Sequence, residues 1–290
     1  MEVVQKSWGY IYIAIGEMFR HEAEQSCRSL KRFTNYPVAL ITDDENYKPV
    51  YFDTVIQAND LGRSFEVKIT GMMRSPFQRT VFLDTDTFVC AGIDSVFEFL
   101  DYFDFAMTLD MHGHSTSFWR QYQPDYHLKL KDALHEFNTG VVGFVRNKDV
   151  NEFFETWLQT HRELGMYADM PTFREAFLKR PVSVGILPHE YNFTGIKSMV
   201  MAYTTVRVIH DRLGEKWNNL RPHMADFEYM EKLARRINRK TYKRLIIPYV
   251  GVIPFTWSPF NLKRKIKSML GIKARKKRES FFVKIERNAE

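Results

Sequence analysis

The sequence predicts an α/β fold, a largely parallel sheet covered by helices on both faces. Three observations predict it. Short apolar runs rich in β-branched and aromatic residues alternate with longer segments of helical spacing over the first 210 or so residues. The runs read as continuously apolar rather than alternating, as strands buried on both faces do. Acidic residues follow directly on two of them, at Asp43 and Asp84, where such sheets bind ligands.

Taken in order, "YIYIAI" (Tyr10 to Ile15) is a buried strand. The helix after it carries Phe19, Ala23, Cys27, Leu30 and Phe33 at steps of three or four. Pro37 closes it and opens "VALITD", a second strand ending at Asp43. "YFDTVIQA" is a third run, and "TVFLD" a fourth strand that ends in the acid pair Asp84 and Asp86. "DSVFEFLDYF" reads as a short helix, "FDFAMTLD" and "EFNTGVVGFVRN" as strands, and Val150 to Leu164 as an amphipathic helix with a wide apolar stripe. In "ADMPTFREAFLK", Asp169 stands where an N-cap would and Pro171 falls in the first turn. "VSVGILP" and "TTVRVIH" are the late strands.

The 290 residues are 44% hydrophobic and 15% aromatic, enough for one large core with an appendage, which excludes a disordered chain. Cys27 and Cys90 are the two cysteines, too few for a disulfide framework, so a reducing compartment is expected. No basic region followed by a long apolar run opens the chain, and no stretch of about 18 uncharged apolar residues occurs. The expectation is a cytoplasmic protein, peripheral at the inner face of a membrane. The net charge of +7 is concentrated in Lys263 to Arg278, which holds nine Lys or Arg and no acid. In "LKRKIKSMLGIKARKKR" the apolar Leu262, Ile266, Met269 and Leu270 fall at helical spacing, so residues 261–278 suit an anionic membrane surface, with a solvated tail as the alternative. No nucleic-acid-binding module accompanies the patch. The division expected is a catalytic domain over 1–222 and a helical, basic extension over 223–290, beginning with an amphipathic helix around Met224 to Ile237.

Chemistry centres on "RTVFLDTDTFV". Residues i and i+2 of an extended segment face one way about 6.6 Å apart, so Asp84 and Asp86 can converge on one ion. Carboxylates buried together repel unless a positive charge lies between them, and hard oxygen ligands suit Mg²⁺ or Mn²⁺ with positions left open for phosphate. The alternative is a turn cap beside a solvated acid. His210 ends "TTVRVIH", and a neutral imidazole can join two carboxylates on Mn²⁺; a surface histidine bonded to a loop carbonyl is the competing reading. Asn138, Thr139 and Gly140 interrupt an apolar strand, marking either contact with sugar hydroxyls or a β-bulge. Lys68 and Arg74 precede the acid pair and either neutralise a diphosphate or are surface helix charges.

These residues resemble a family. "RTVFLDTDTFV" is similar to the D-x-D segment of nucleotide-sugar-dependent glycosyltransferases of the GT-A fold, in which both acids hold a divalent metal against the donor pyrophosphate. "KITGMMRSPFQRTVFLDTDT" resembles the stretch that sets a basic residue and a short helix before that motif. "FNTGVVGF" (Phe137 to Phe144) resembles the F-N-[ST]-G segment of glycogenin-like and bacterial galactosyltransferase-like members. "VIHDRLGEKW" (Val208 to Trp217) resembles their late H-x-x-G-x-x-K-P-W element, with the glycine one position further from the histidine and no proline before Trp217.

The resemblance covers roughly residues 10 to 217. It implies a Rossmann-like GT-A domain with Mn²⁺ or Mg²⁺ on Asp84, Asp86 and His210, and a UDP- or GDP-sugar donor near Ala14, Ile15, Gly16, Asp43, Thr85 and Lys216. It implies a glycan, lipid-linked or other hydroxyl acceptor. Asp169 in "YADMPTF" resembles the D-Q-x-x-[FL] helix start, with methionine in place of glutamine; it and Asn138 are the candidate catalytic residues, Asp169 a base if the anomeric centre inverts or a sugar ligand if it is retained. Two other function classes compete. One is a haloacid-dehalogenase-type phosphatase with Asp84 as nucleophile, although that motif ends the first strand of its sheet. The other is a non-catalytic protein that binds membrane surfaces through the tail.

Overall fold

A computed structural model of the chain describes residues 7–62, 66–110, 134–166, 168–194, 202–210 and 226–241, together with strands at 245–247 and 251–253. Strand β1 (Trp8–Ala14), helix α1 (Glu17–Leu30), β2 (Val38–Thr42) and β3 (Thr54–Gln57) come first. Helix α2 (Glu66–Met73), β4 (Arg79–Leu83), β5 (Thr87–Val89), α3 (Ser95–Phe99) and β6 (Phe105–Leu109) follow. Then come β7 (Phe137–Val145), α4 (Lys148–Leu164), α5 (Asp169–Lys179), β8 (Val184–Ile186), a 3₁₀ turn at His189–Tyr191, β9 (Val208–His210) and α6 (Phe227–Thr241).

Among the described residues, seven strands form one sheet in the order β3-β2-β1-β4-β7-β6-β8. β3, β2, β1 and β4 run parallel, β7 is antiparallel to both β4 and β6, and β8 is parallel to β6. The carboxyl ends of β1, β2, β4 and β6 therefore lie on the same edge as the amino end of β7. Gly16, Asp43, Asp84, Asp110 and Asn138 all follow or open these strands at that edge, so topology alone collects the polar residues there.

The pleat sorts the core onto two faces. Tyr10, Tyr12, Leu40, Val81 and Leu83 point to the side covered by α1 and α3. Ile11, Ile41 and Phe82 point to the other side, where Ile69 and Met72 of α2 and residues of α4 and α5 cover them. On that second side Phe105, Phe153, Phe154, Phe173 and Trp157 form an aromatic cluster, with Trp157 edge-on to Phe173 at 4.9 Å between ring centroids. Such pairs contribute about 0.5–1.5 kcal/mol each beyond the area they bury, and they fix α4 against α5.

β5 and β9 form a separate antiparallel pair, with Thr87 opposite His210. Phe88, Phe193 and Ile209 pack there with Met230, Ala234 and Ile237 of α6. A compact unit comprises residues up to Tyr242; a second, from Lys243 onward, contains the hairpin β10 (Leu245–Ile247) and β11 (Gly251–Ile253). Among the described residues no helix is long and apolar enough to cross a membrane.

Three local differences from expectation have physical reasons. Helix α4 begins at Lys148 because Asn147 caps it, accepting the Val150 N–H at 2.8 Å. Ala168, not Asp169, is the cap of α5, so the Asp169 carboxylate is spared for another partner. Helix α1 buries more than its apolar stripe, since Glu22, Ser26 and Ser29 are buried as well while Phe19 is exposed.

Candidate functional site

The acid pair sits in the turn between β4 and β5. That turn is clamped from three directions. Asp84 N–H donates to Gly140 O on β7 at 2.9 Å, and Thr87 Oγ1 donates back to Asp84 O at 2.7 Å. From α1, Ser26 bonds both Thr87 Oγ1 at 2.7 Å and Tyr12 OH at 2.9 Å, and Glu22 accepts Thr85 Oγ1 at 3.1 Å. The buried polar residues of α1 thus hold the loop that carries Asp84 and Asp86.

His210, at the end of β9, lies over this turn. Its Nε2 is 3.4 Å from Asp84 Oδ2 and 3.3 Å from Asp86 Oδ1, and one ligand atom from each of the three lies within 4.8 Å of the others. The ring fits because residue 140 is glycine: a Cβ there would stand 2.1 Å from His210 Cε1 and 2.4 Å from Nδ1. Burial disfavours a charged imidazole, but Asp86 and Asp84 outweigh it and push His210 up to about 9. Burial likewise opposes ionisation of Asp84, yet Lys68 and His210 hold its carboxyl below the usual range.

The chemistry of this donor set fits Mn²⁺ or Mg²⁺. The spacings from His210 Nε2 to the two carboxylates, 3.4 and 3.3 Å, are close to the roughly 3 Å between neighbouring ligands of an octahedral ion with ~2.1 Å bonds. Three ligands leave positions for phosphate oxygens.

Lys68, from α2, stands beside the pair. Its Nζ lies 3.0 Å from Asp84 Oδ1, 3.1 Å from Asp169 Oδ2 and 3.2 Å from Thr139 Oγ1. Burial works against its charge, but Asp169 and Asp84 outweigh it and raise its pKa. The α5 terminus that presents Asp169 is fixed by Trp157 Nε1, which donates to Thr172 Oγ1 at 3.0 Å and to Asp169 O at 3.3 Å.

On β7, Asn138 Oδ1 accepts the Gly140 N–H at 3.0 Å, and its Nδ2 donates to Asp110 Oδ1 at 3.2 Å. The β6–β7 register shifts here, between Met107 and Thr108, so the polar interruption coincides with a bulge. At the end of β1, Gly16 has φ 95°, a backbone that favours glycine. Its N–H donates to Asp43 Oδ1 at 3.0 Å, and Arg20 pairs with Asp43 and Asp44. Burial opposes Asp43 ionisation, but the Gly16 N–H and Arg20 hold its carboxyl below the ordinary value. Ala14 and Ile15 are buried beside this corner.

The fold therefore brings together Lys68, Asp84, Asp86, Thr139, Gly140, Asp169 and His210. It groups Gly16 with Asp43 in a second cluster. Arg74 goes elsewhere, its guanidinium forked onto Asp60. Lys216 lies outside the described residues. Sequence reasoning missed Asn192, Asp110 and Arg20. Asn192, almost fully buried, bonds both His210 Nδ1 at 2.9 Å and Asn138 Oδ1 at 2.7 Å. Its only sequence signal is an amide between two aromatics in "EYNF".

The fold is shared with solved glycosyltransferases. The chain is similar to the galactosyltransferase LgtC in complex with donor and acceptor sugar analogs, at 11% identity over 78% of this chain and 95% of that one, TM-score 0.50. It is similar to the bifunctional glycosyltransferase WbbM in its apo form at 15% identity, TM-score 0.51, over 82% of this chain and 53% of WbbM. Mouse xyloside xylosyltransferase 1 is aligned at 14% identity over 71% of this chain and 98% of that one, TM-score 0.49. No curated protein sequence matches the chain. Residues 16–166, more than half of the chain, match the family model described as "Mannosyltransferase putative", a span that contains the D-x-D pair Asp84 and Asp86. The chain belongs to this mannosyltransferase family, and it is a glycosyltransferase with a GT-A-type fold.

Proposed function

We propose that the chain transfers a sugar from a nucleoside diphosphate sugar to a hydroxyl acceptor, with Mn²⁺ or Mg²⁺ held by Asp84, Asp86 and His210. The observation that carries this reading is the meeting of those three side chains, from β4–β5 and β9, beside Gly140, whose missing Cβ leaves room for the His210 ring. Bound there, the ion would supply Lewis-acid stabilisation of charge developing on the departing diphosphate.

The chain's own residues supply the rest. Lys68 holds Asp84 and Asp169 in place and adds a fixed positive charge beside the diphosphate position. Gly16, Asp43 and Arg20, on the same sheet edge, form the cluster assigned to the nucleoside. As the acceptor oxygen bonds to the anomeric carbon, the bond from that carbon to the diphosphate oxygen breaks and its electron pair leaves with the diphosphate. In an inverting reaction Asp169 takes the acceptor proton; in a retaining one it binds the sugar and the departing diphosphate oxygen takes that proton. The family description supports mannose as the sugar, which makes GDP- or UDP-linked mannose the first donor to try and a glycan or lipid-linked alcohol the acceptor class. The family and the fold displace the phosphatase and non-catalytic readings.

The test is thermal unfolding of the full chain with GDP or UDP, with and without Mn²⁺. Ligand that binds only the native state raises its melting temperature, so a rise with nucleotide that grows with Mn²⁺ is expected. A nucleotide response indifferent to Mn²⁺ and to EDTA would overturn the metal reading.

A further inference from the structure

The polarity of the hydrogen bonds around His210 follows from one donor that cannot be reversed. The Gly140 N–H faces Asn138 across 3.0 Å, and a backbone amide can only donate. The Asn138 atom on that side is therefore Oδ1, which leaves Nδ2 facing Asp110 Oδ1, an acceptor, at 3.2 Å. Asn192 also contacts Asn138 Oδ1, at 2.7 Å, so Asn192 donates through Nδ2. Its Oδ1 then faces His210 Nδ1 at 2.9 Å. A carboxamide oxygen has no proton to give, so the proton in that bond belongs to Nδ1.

Asp110, Asn138 and Asn192 are all buried, so a reversed arrangement would break pairings between buried polar atoms. The opposite tautomer would set the Nδ1 lone pair against the Asn192 Oδ1 lone pairs. It would also leave the only ring proton on Nε2, the nitrogen an ion between Asp84 and Asp86 would need.

Resting on the metal reading above, we infer that Asn192 is a positioning residue: it keeps the proton on His210 Nδ1 and leaves Nε2 as the nitrogen that gives up its proton when the ion binds, with polarity relayed from Gly140 through Asn138. The relay spans β7, the segment after the 3₁₀ turn, and β9, and it uses both ends of each carboxamide. Asn138 thus acts on the centre through two hydrogen bonds, from within the "FNTG" segment. Partners of this kind change metal affinity by about 10–100-fold when removed.

Two measurements on the full chain test this. With ¹⁵N-labelled histidine and His210→Gln to assign the signal, a one-bond Nδ1–H cross-peak protected from solvent exchange is expected for His210, with or without Mg²⁺. Asn192→Ala should lose that protection and bind Mn²⁺ about 10–100-fold more weakly by calorimetry or electron paramagnetic resonance. A His210 ring protonated on Nε2 alone in the wild-type protein would overturn the inference whether or not the variant folds. So would an Asn192→Ala protein that keeps both the protected Nδ1–H and the wild-type Mn²⁺ affinity. A protected Nδ1–H in wild type that Asn192→Ala abolishes, in a protein that binds no Mn²⁺, would uphold the relay and refute the metal reading.

Discussion

At the scale of single residues, Asp86 and Gly140 make opposite predictions. Asp86 lies beside a second carboxylate and 3.3 Å from His210, so removing it relieves a repulsion, takes away a partner of the imidazole and deletes a ligand. Asp86→Ala should lower turnover by about 10²-fold or more, an effect of the size seen when one electrostatic stabiliser is removed, with a much smaller effect on stability. A turnover assay beside a thermal scan checks it, and near-normal turnover would reject the assignment. Gly140→Ala should hurt both properties, because its Cβ would overlap the His210 ring; overpacking of this kind costs about 1–3 kcal/mol. Denaturant unfolding and Mn²⁺ titration would show the two losses together, and a variant with intact stability and affinity would mean the ring has room to move. Asp84 and His210 were legible in the sequence because each ends an apolar run, where a polar residue stands out, and Asp86 because it stands two residues beyond Asp84. Asn192 was not, because it follows a 3₁₀ turn rather than a regular element and no periodicity marks its neighbours. Arg74 misled for the reverse reason: its position in the chain resembled that of Lys68, but only one of them faces the sheet edge.

At the scale of elements, the pair β5–β9 depends on how the chain before β9 is tied down. Glu190, buried in the 3₁₀ turn, accepts the N–H groups of Tyr203 at 2.6 Å and Thr204 at 2.7 Å, and its own carbonyl accepts from Arg207 at 2.7 Å. Burial disfavours the Glu190 carboxylate, yet these donors prevail and hold it below the ordinary value of 4.5. A value lowered on folding contributes stability that is complete above pH 4.5 and is lost as pH falls through the folded value. Glu190→Gln should therefore lose about 1–3 kcal/mol at neutral pH and show a shallower decline in acid. Urea titrations at pH 7 and in the acid range decide it; parallel declines would sink the assignment. The sheet's main strands and α4 were readable from their apolar runs and caps. Strand β5 has three residues, too short for a pattern of its own, whereas β9 was read within "TTVRVIH"; the polar buried face of α1 contradicts the stripe that its apolar residues suggest.

At the scale of the whole molecule, activity should vanish on treatment with EDTA and return with Mn²⁺. Activity that persists in chelator would remove the ion from the reaction. The basic residues 261–278 lie outside the described residues, and their composition supports a membrane-facing role. Full-length protein should sediment with vesicles containing anionic lipid, and protein truncated after Phe260 should not; equal sedimentation would assign binding to the remainder. The fold class was legible because alternating strands and helices leave few topologies, while the gathering of Asp84, Asn138, Asn192 and His210 arises from pairings between distant strands that no local pattern encodes. One consequence concerns synthesis on the ribosome. A nascent chain that has emerged through α5 already holds both carboxylates, yet the imidazole that meets them arrives only with β9, the last described strand before α6, so the three-residue cluster is among the later parts of the fold to be completed.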